Sequence, residues 1–162
     1  MHCKIDDLAH CPEHAEQIAL WQHQECEREG IASKLSQRRA KLSRHLDPHQ
    51  PIPRTWLVLI NSAPAACLSL ISYHHRGQEH RWQPGDPLWV SSVYVLPQHR
   101  RQGIARHLLD YAEHRARHLG ADSLWLMTED RQDFYRHLGW QWVRNTRLSG
   151  RELSLMQKPF PE

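Results

Sequence analysis

The chain has 162 residues, 40% of them hydrophobic and 24% charged, which suffices for one buried core and matches the usual size of a single domain. Its formal net charge of +3 includes no long Lys/Arg block, so a nucleic-acid-binding arm is excluded. No apolar run approaches the ~18 residues that cross a bilayer, and no secretory leader is recognisable. We therefore expect one cytoplasmic domain over residues 1–162, with neither a nucleic-acid nor a membrane partner.

Cysteine and histidine spacing argues against a metal centre. The four cysteines are scattered without a C-x-x-C pair, and they are Cys3, Cys11, Cys26 and Cys67. Such spacing is typical of free thiols in a reducing cytoplasm. The 14 histidines are equally dispersed, so no metal site is predicted.

The first third of the chain predicts an edge strand and two helices. Residues 2–8 form the strand, and Pro12 opens the first helix. The residues of that helix predicted to face inward are Ala15, Ile18, Ala19 and Trp21. Gly30 interrupts it, and Ser33 is the predicted N-cap of the second helix, which the prolines from position 48 onward end.

Two apolar runs, residues 55–60 and 65–73, predict a hairpin around the Asn-Ser-Ala-Pro segment at 61–64. A polar segment of fourteen residues, 74–87, separates them from the next strand at 88–96. Loops of that length are often functional. Trp82 in its middle either covers a bound acceptor as a lid or packs the loop against the core.

The central stretch, residues 93–119, predicts a strand, a polar turn after Pro97 and an amphipathic helix that ends at Gly120. A strand that feeds a helix through small residues directs backbone N–H groups and the positive end of the helix dipole outward, as phosphate sites do. Gly103 and Ala105 permit close approach, and Arg100, Arg101 and Arg106 supply charge. The alternative is an ordinary corner with solvated arginines. Neither common nucleotide-binding fingerprint is present.

Two motifs of the sequence resemble one family. Residues 100–105, R-R-Q-G-I-A, resemble the coenzyme A loop of the GNAT-type N-acetyltransferases, [Q/R]-x-x-G-x-[G/A] after a V-x-V-x-P strand. Residues 134–140, F-Y-R-H-L-G-W, are similar to that family's F-Y-x-x-L-G-[F/W/Y] segment. The resemblance is close over residues 88–143 and rests on the order of elements before them.

The remaining elements fit that resemblance. Strands are predicted at residues 123–127, 140–143 and 152–157, with a short helix at 130–138. Together with the earlier elements they predict an α+β fold, a GNAT-like mixed and mostly antiparallel sheet of six to seven strands with helices on both faces.

The resemblance implies acetyl transfer from acetyl-CoA to an amine, with acetyl-CoA as co-substrate. Matched to the family pattern, the Val93 N–H faces the thioester oxygen, and Tyr135 protonates the departing thiolate unless it is only a core aromatic residue. The residues implied in coenzyme binding are Val93, Val95, Arg100, Arg101, Gln102, Gly103, Ile104, Ala105, Arg106 and Thr128. The turn between the two leading helices, residues 22–32, is where acceptor contacts are expected, although a solvated linker explains it equally well.

One position departs from the family. Several members that acetylate lysine carry a glutamate four residues before the oxyanion-hole residue, and this chain has Trp89 there. We hypothesise that the acceptor is a weakly basic amine, such as a peptide N-terminus or a small-molecule amine, deprotonated through a water held by Ser91 or His74. The alternative is a non-catalytic acyl-CoA-binding regulatory module. A monomer or a homodimer is expected.

Overall fold

One open sheet of seven strands organises the part of the chain that this computed structural model describes, residues 3–73 and 81–161. The strands are β1 Cys3–Asp7, β2 Arg54–Ile60, β3 Ala63–Ile71, β4 Trp89–Val95, β5 Ser123–Thr128, β6 Gln141–Leu148 and β7 Arg151–Pro159. The helices are α1 Ala15–Arg28, α2 Leu35–Ser43, α3 Ile104–His118 and α4 Gln132–His137. The predicted elements are confirmed in type and order.

The strands lie in the order β1-β2-β3-β4-β5-β7-β6. The β4–β5 pair is parallel and the other five pairs are antiparallel. Helix α3 is the crossover between the two parallel strands, which cannot be joined by a tight turn. The predicted mixed and mostly antiparallel sheet is confirmed.

Alternate residues of β2 enter two separate cores, one on each face of the sheet. Trp56, Val58 and Ile60 belong to the larger core, which includes buried residues of α3 and Tyr135 of α4. Leu57 and Leu59 belong to the smaller core, whose helical members include Ile18, Ala19, Trp21 and Leu42. Because strand side chains alternate between faces, the sheet has helices on both sides, as predicted.

Both hairpin turns are tighter than the sequence suggested. Asn61 and Ser62 connect β2 to β3 with φ values of 50° and 70°, and Ser149 and Gly150 connect β6 to β7 with 51° and 74°. Two left-handed residues make a turn whose twist matches that of the flanking strands, so the strands extend to within two residues of each other. Pro64, expected in the first turn, instead lies in β3 beside a bulge, where its missing N–H is tolerated.

Two helix caps are predicted from the sequence. Ser33 at the start of α2 is not a cap, whereas Gly120 at the end of α3 is. Ser33 does not cap α2, because its Oγ lies 3.0 Å from Nδ1 of His23 on α1 and Lys34 precedes the helix without a side-chain cap. At the end of α3, Gly120 has a φ of 87° and Ala121 N–H donates to the Ala116 carbonyl at 3.0 Å. This is the glycine-terminated cap that the sequence predicts.

Residues 74–80 of the predicted long loop, His74 included, lie outside the described residues. Within residues 81–87, Trp82 packs against the larger core and its Nε1 donates to the Asp86 carbonyl at 3.2 Å. Of the two alternatives for Trp82, the structure therefore shows packing. The helices within the described ranges are all too short or too polar to cross a membrane.

The two buried thiols should resist alkylation. Burial raises the pKa of Cys11 to about 11, with a smaller contribution from Asp6, and it raises the pKa of Cys67 to about 12. A raised thiol pKa lowers the thiolate fraction, and the thiolate is the reactive form. With iodoacetamide at pH 8.5, we expect Cys67 to react at least about tenfold more slowly than exposed Cys3.

Mass spectrometry of the native protein, with urea-unfolded protein as the control, measures these rates. Equal labelling of Cys67 and Cys3 in the native state would contradict the burial that the fold assigns to β3.

Candidate active site

The centre of the sheet is parted between β4 and β5. Both strands lie entirely within the described residues, and their register contains one residue pair, Trp89 with Trp125. One further hydrogen bond, from Trp125 N–H to the Leu88 carbonyl at 3.0 Å, closes the same end. Toward their carboxyl ends the two strands are no longer paired, so each presents a free edge to the gap between them.

A bulge in β4 lies at the start of this gap. Ser69 pairs with Ser91 and Cys67 pairs with Tyr94, so β4 has one more residue than β3 between these pairs. Ser92 takes a left-handed φ of 56°, and neither Ser92 nor Val93 has a register partner on β3. A bulge of this kind re-aims the backbone of a strand. Val93, Val95 and Ser91, the predicted site residues of β4, therefore lie along the gap and are each partly exposed.

The turn from β4 to α3 has an unsatisfied row of amides. A short 3₁₀ turn at Pro97–His99 follows β4, and then Arg101 and Gly103 take left-handed φ values of 62° and 79°. Within residues 3–73 and 81–161, the structure provides no acceptor for the N–H groups of residues 101–106. No side chain caps α3 and no acidic residue lies in its first turn. The turn therefore has the donors and the dipole end that bind an anion.

The three arginines of this turn differ in orientation. Arg100 folds back onto the strand, where its Nε donates to the Val95 carbonyl at 2.9 Å and its guanidinium lies 5.6 Å from the Tyr94 ring centroid. Arg101 and Arg106 are exposed. Gln102 lies beside them, and its Nε2 donates to the Gln98 carbonyl at 3.5 Å. Two of the three predicted cations thus remain available to an anion on the turn.

Tyr135 lies on α4 and is 9% exposed. Its ring packs edge-on between Phe134 and Trp140, at centroid distances of 5.1 and 5.8 Å. Burial raises the pKa of Tyr135 to about 12, with a small opposing contribution from Arg131. The phenol is therefore protonated throughout the neutral range, which is the state that a proton donor must have.

Thr128 ends β5 and is buried, and its Oγ1 accepts a hydrogen bond from Arg131 N–H at 3.1 Å. That contact lies in the turn that leads into α4, the helix that holds Tyr135. The hydroxyl hydrogen of Thr128 is still able to donate to a bound group.

A charged bridge that sequence reasoning missed connects the α1–α2 turn to the far half of the sheet. Arg151 of β7 donates to the Glu29 carbonyl and forms an ion pair with Glu129 at the end of β5. Burial raises the pKa of Glu29, and Glu25 adds to the shift. Arg151 is 122 residues from Glu29 and 22 residues from Glu129 in the chain, so no local sequence pattern predicts these contacts. The bridge places residues 22–32, the expected acceptor segment, beside the carboxyl end of β5.

A polar cavity of about 230 Å³ opens next to this bridge. It is lined by Glu129, Gln132, Asn145, Glu152, Leu153 and Ser154. Gln132 Nε2 donates to Ser154 Oγ at 3.0 Å, and Asn145 Nδ2 donates to Glu152 at 3.0 Å. The two carboxylates make the cavity more suitable for a cationic group than for an anionic one. No group of three His, Cys, Asp or Glu residues able to hold a metal ion occurs among the described residues.

Comparison with known families identifies the same stretch of chain. The family model described as the acetyltransferase (GNAT) family matches residues 37–140. That range includes β4, the anion-binding turn, α3 and Tyr135. Among curated proteins, none matches the sequence significantly.

Solved structures similar to this fold include several with a bound coenzyme. N-acetylglutamate synthase from Neisseria gonorrhoeae, complexed with coenzyme A and N-acetylglutamate, has a TM-score of 0.74 and 16% identity, and the match covers 100% of this chain and 36% of that one. An acetyltransferase from Salmonella typhimurium with acetyl-CoA has a TM-score of 0.71 and 18% identity over 99% and 95% of the two chains. The NatC complex bound to Gag peptide and CoA has a TM-score of 0.68 and 14% identity over 99% and 100%. This chain thus spans about a third of the first of these proteins.

A negative charge placed on the turn should weaken the binding of an anion there. Gly103→Asp puts a carboxylate beside the free amides, so we expect the Kd for acetyl-CoA, measured by isothermal titration calorimetry, to rise at least about tenfold, or about 1.4 kcal/mol. Gly103→Asn has the same shape without the charge and tolerates the left-handed backbone, so its Kd should stay within about threefold of wild type.

Gly150→Asp is the matched control, because Gly150 has a similar φ of 74° and equally open surroundings in the β6–β7 turn. Equal Kd values for Gly103→Asp and Gly103→Asn would contradict an anion site at this turn.

Proposed function

The chain belongs to the acetyltransferase (GNAT) family, and on that premise we propose that it transfers the acetyl group of acetyl-CoA to a primary amine, by direct transfer within a ternary complex. Family membership makes it an acetyltransferase that uses acetyl-CoA, and the proposal concerns the acceptor and the residues. We extend the domain from the matched residues to the whole of 1–162, because both cores include elements outside the matched range.

The observation that carries the proposal is the juxtaposition of two features. The parted strands provide backbone edges for an extended chain with amide groups, and the row of free amides at residues 101–106 lies at the end of the same strand. Pantetheine is such a chain and its diphosphate is such an anion. In this proposal the amides of Gly103, Ile104 and Ala105 hold the diphosphate, with Arg101 and Arg106 alongside.

At the reacting end, the bulge directs the backbone of Val93 toward the thioester. We assign the Val93 N–H to the thioester oxygen, where a donor fixed before reaction stabilises the developing oxyanion, by about 2.7 to 4 kcal/mol in comparable enzymes. Val95 pairs through its backbone with pantetheine. Thr128 donates to pantetheine through its hydroxyl hydrogen, which the bond accepted from Arg131 N–H does not use.

Tyr135 is the proposed donor of a proton to the departing thiolate. The pKa of Tyr135, about 12, lies above the pKa of a thiol in water, near 8.5. Proton transfer from the buried phenol to a fully hydrated thiolate is therefore unfavourable. Burial raises both values, since a thiolate in the same dry site loses its hydration as well. The shared environment brings donor and acceptor closer in pKa.

Tyr135→Phe should lower kcat at least about tenfold, because the thiolate must then leave unprotonated or take a proton from water. The Kd for acetyl-CoA should change by less than about twofold, since the ring still packs between Phe134 and Trp140. Thiol release during turnover and calorimetry measure the two quantities. Phe134→Leu, a change in the adjacent ring, is the packing control, and wild-type turnover in Tyr135→Phe would remove the phenol from the mechanism.

The proposed acceptor is a weakly basic amine, either a peptide N-terminus or a small-molecule amine. At pH 7 a lysine amine is only ~0.04% neutral, whereas an α-amine is roughly 10–17% neutral and needs less help to lose its proton. Trp89 occupies the position of the family's carboxylate base. The absence of a base at that position favours a weakly basic acceptor such as an α-amine over a lysine amine. The polar cavity beside the α1–α2 turn and the peptide bound by the NatC complex are in keeping with an N-terminal acceptor.

Turnover on two matched peptide acceptors tests this choice. We expect kcat/KM at pH 7 to be at least about tenfold higher for a peptide with a free N-terminus and no lysine than for its N-terminally blocked counterpart with one lysine. Preference for the lysine peptide would refute the acceptor assignment. Acetyl-CoA binding without turnover on any amine would indicate the non-catalytic acyl-CoA-binding module. A cytoplasmic location and a monomeric or homodimeric state stay predictions.

A further inference from the structure

Three polar side chains form a buried chain across the sheet, on the face that α1 and α2 cover. His45, Thr55 and Ser69 are 4%, 0% and 2% exposed. His45 Nδ1 lies 2.8 Å from Thr55 Oγ1, which lies 2.7 Å from Ser69 Oγ. Thr55 shares its face of β2 with Leu57 and Leu59, so the chain runs beside an apolar core. Polar groups in such a place are strongly coupled to one another.

The chain leads to the proposed reaction centre. Ser69 is the register partner of Ser91 on β4, so their side chains lie on one face with Cβ atoms about 4.5 to 5.5 Å apart. Ser91 precedes Val93 by two residues, and its Oγ lies 3.4 Å from Ser92 Oγ. Ser69 and Ser91 share a register position without a direct hydrogen bond among the described residues, so one bridging water or a change of side-chain rotamer is needed to complete the path from Ser91 to the imidazole.

We propose that His45 is the final proton acceptor for the amine and that Ser91, Ser69 and Thr55 relay the proton to it. The inference rests on the proposed function and supplies the base that Trp89 lacks. An N–H bond of the amine breaks as Ser91 Oγ gains a proton and passes its own to Ser69. Ser69 passes its proton to Thr55, and Thr55 passes its proton to Nδ1, which forms an imidazolium. Release of the Nε2 proton to solvent, transfer of the remaining ring proton from Nδ1 to Nε2, and rotation of the three hydroxyl hydrogens back toward His45 reset the chain.

The relay requires every hydroxyl of the chain to donate its hydrogen bond toward His45. Thr55 O–H must donate to His45 Nδ1 and Ser69 O–H must donate to Thr55 Oγ1, so the resting imidazole holds its proton on Nε2. The opposite polarity, with Nδ1–H donating to Thr55, would make the three residues a structural clasp between the chain before β2 and the sheet. This difference makes the ring tautomer a readout that does not depend on turnover.

Thr55→Val tests the relay, because it removes the central hydroxyl and retains the branched shape. We expect kcat to fall at least about tenfold with the Kd for acetyl-CoA within about twofold, and a larger loss for a more basic amine, since the variant can use only amine already neutral in solution. Thr55→Ser returns the hydroxyl and should recover most of the loss. Ser72→Ala, a buried hydroxyl on the segment after β3 outside the chain, is the matched control.

His45→Asn provides the second variant, because its Oδ1 still accepts from Thr55 without taking up a proton, and we expect the kinetic loss of Thr55→Val. Nitrogen-15 NMR of histidine-labelled wild type, with the His45 ring assigned by its absence in His45→Asn, should show an unprotonated Nδ1. A protonated Nδ1, wild-type kcat in Thr55→Val, or an equal loss for all amines would overturn the relay alone. Wild-type protein that turns over no amine would overturn the proposed function and the relay with it.

Discussion

The loss of hydrogen bonding between β4 and β5 is the constraint on which the site depends. The two parallel strands remain joined at Trp89 and Trp125, and beyond that point each presents backbone donors and acceptors that no neighbouring strand satisfies. The sheet tolerates the gap because β3 holds the other edge of β4 and β7 holds the other edge of β5 over its whole length. An unsatisfied strand edge is costly and prone to wrong pairing, and here it lies between the central strands of the sheet instead of at its outer edge.

The gap also divides the sheet into two halves that need separate support. Strands β2 and β3 contribute to both cores, whereas β5 and β7 contribute to the larger core alone, with α3 and α4. Arg151 connects the halves on the side of the α1–α2 turn, through the Glu29 carbonyl and Glu129. Such a bridge sets the distance between the expected acceptor segment and the end of β5. Arg151 and Glu129 are partly exposed, so their ion pair contributes little to stability, and its role is to position the two segments that it joins.

Charge and hydration explain how a site without a carboxylate base can still handle an amine. A carboxylate beside the thioester would need to remain hydrated or paired, whereas the partly buried Trp89 packs against Tyr73 and Trp125, at 5.3 and 5.9 Å. Neutral hydroxyls and an imidazole are less costly to bury than an unpaired carboxylate. In the proposed relay, the chain of His45, Thr55 and Ser69 accepts the proton at a distance, without a charge next to the coenzyme.

The fold class and the order of strands and helices along the chain could be predicted from the sequence, because they rest on short-range patterns, and the same patterns located the turn that we propose binds an anion. The 3.6-residue period of α3, the glycine that ends it, and the R-R-Q-G-I-A turn each involve neighbouring residues. A local pattern failed where a partner on another element competes, as at Ser33, whose hydroxyl contacts His23 on α1 instead of capping α2.

Only the tertiary structure decided which strand edges remain open, which thiols are buried and which polar groups meet. The register between β3 and β4 puts Ser69 opposite Ser91, and the packing of the segment before β2 brings His45 to Thr55. These contacts join residues 10 to 22 positions apart whose spacing follows no helical or strand period. The sequence by itself therefore determined where the proposed anion site lies, since local backbone geometry makes that turn, and only the fold brought together the groups of the proposed proton relay, since that requires side chains from four separate segments.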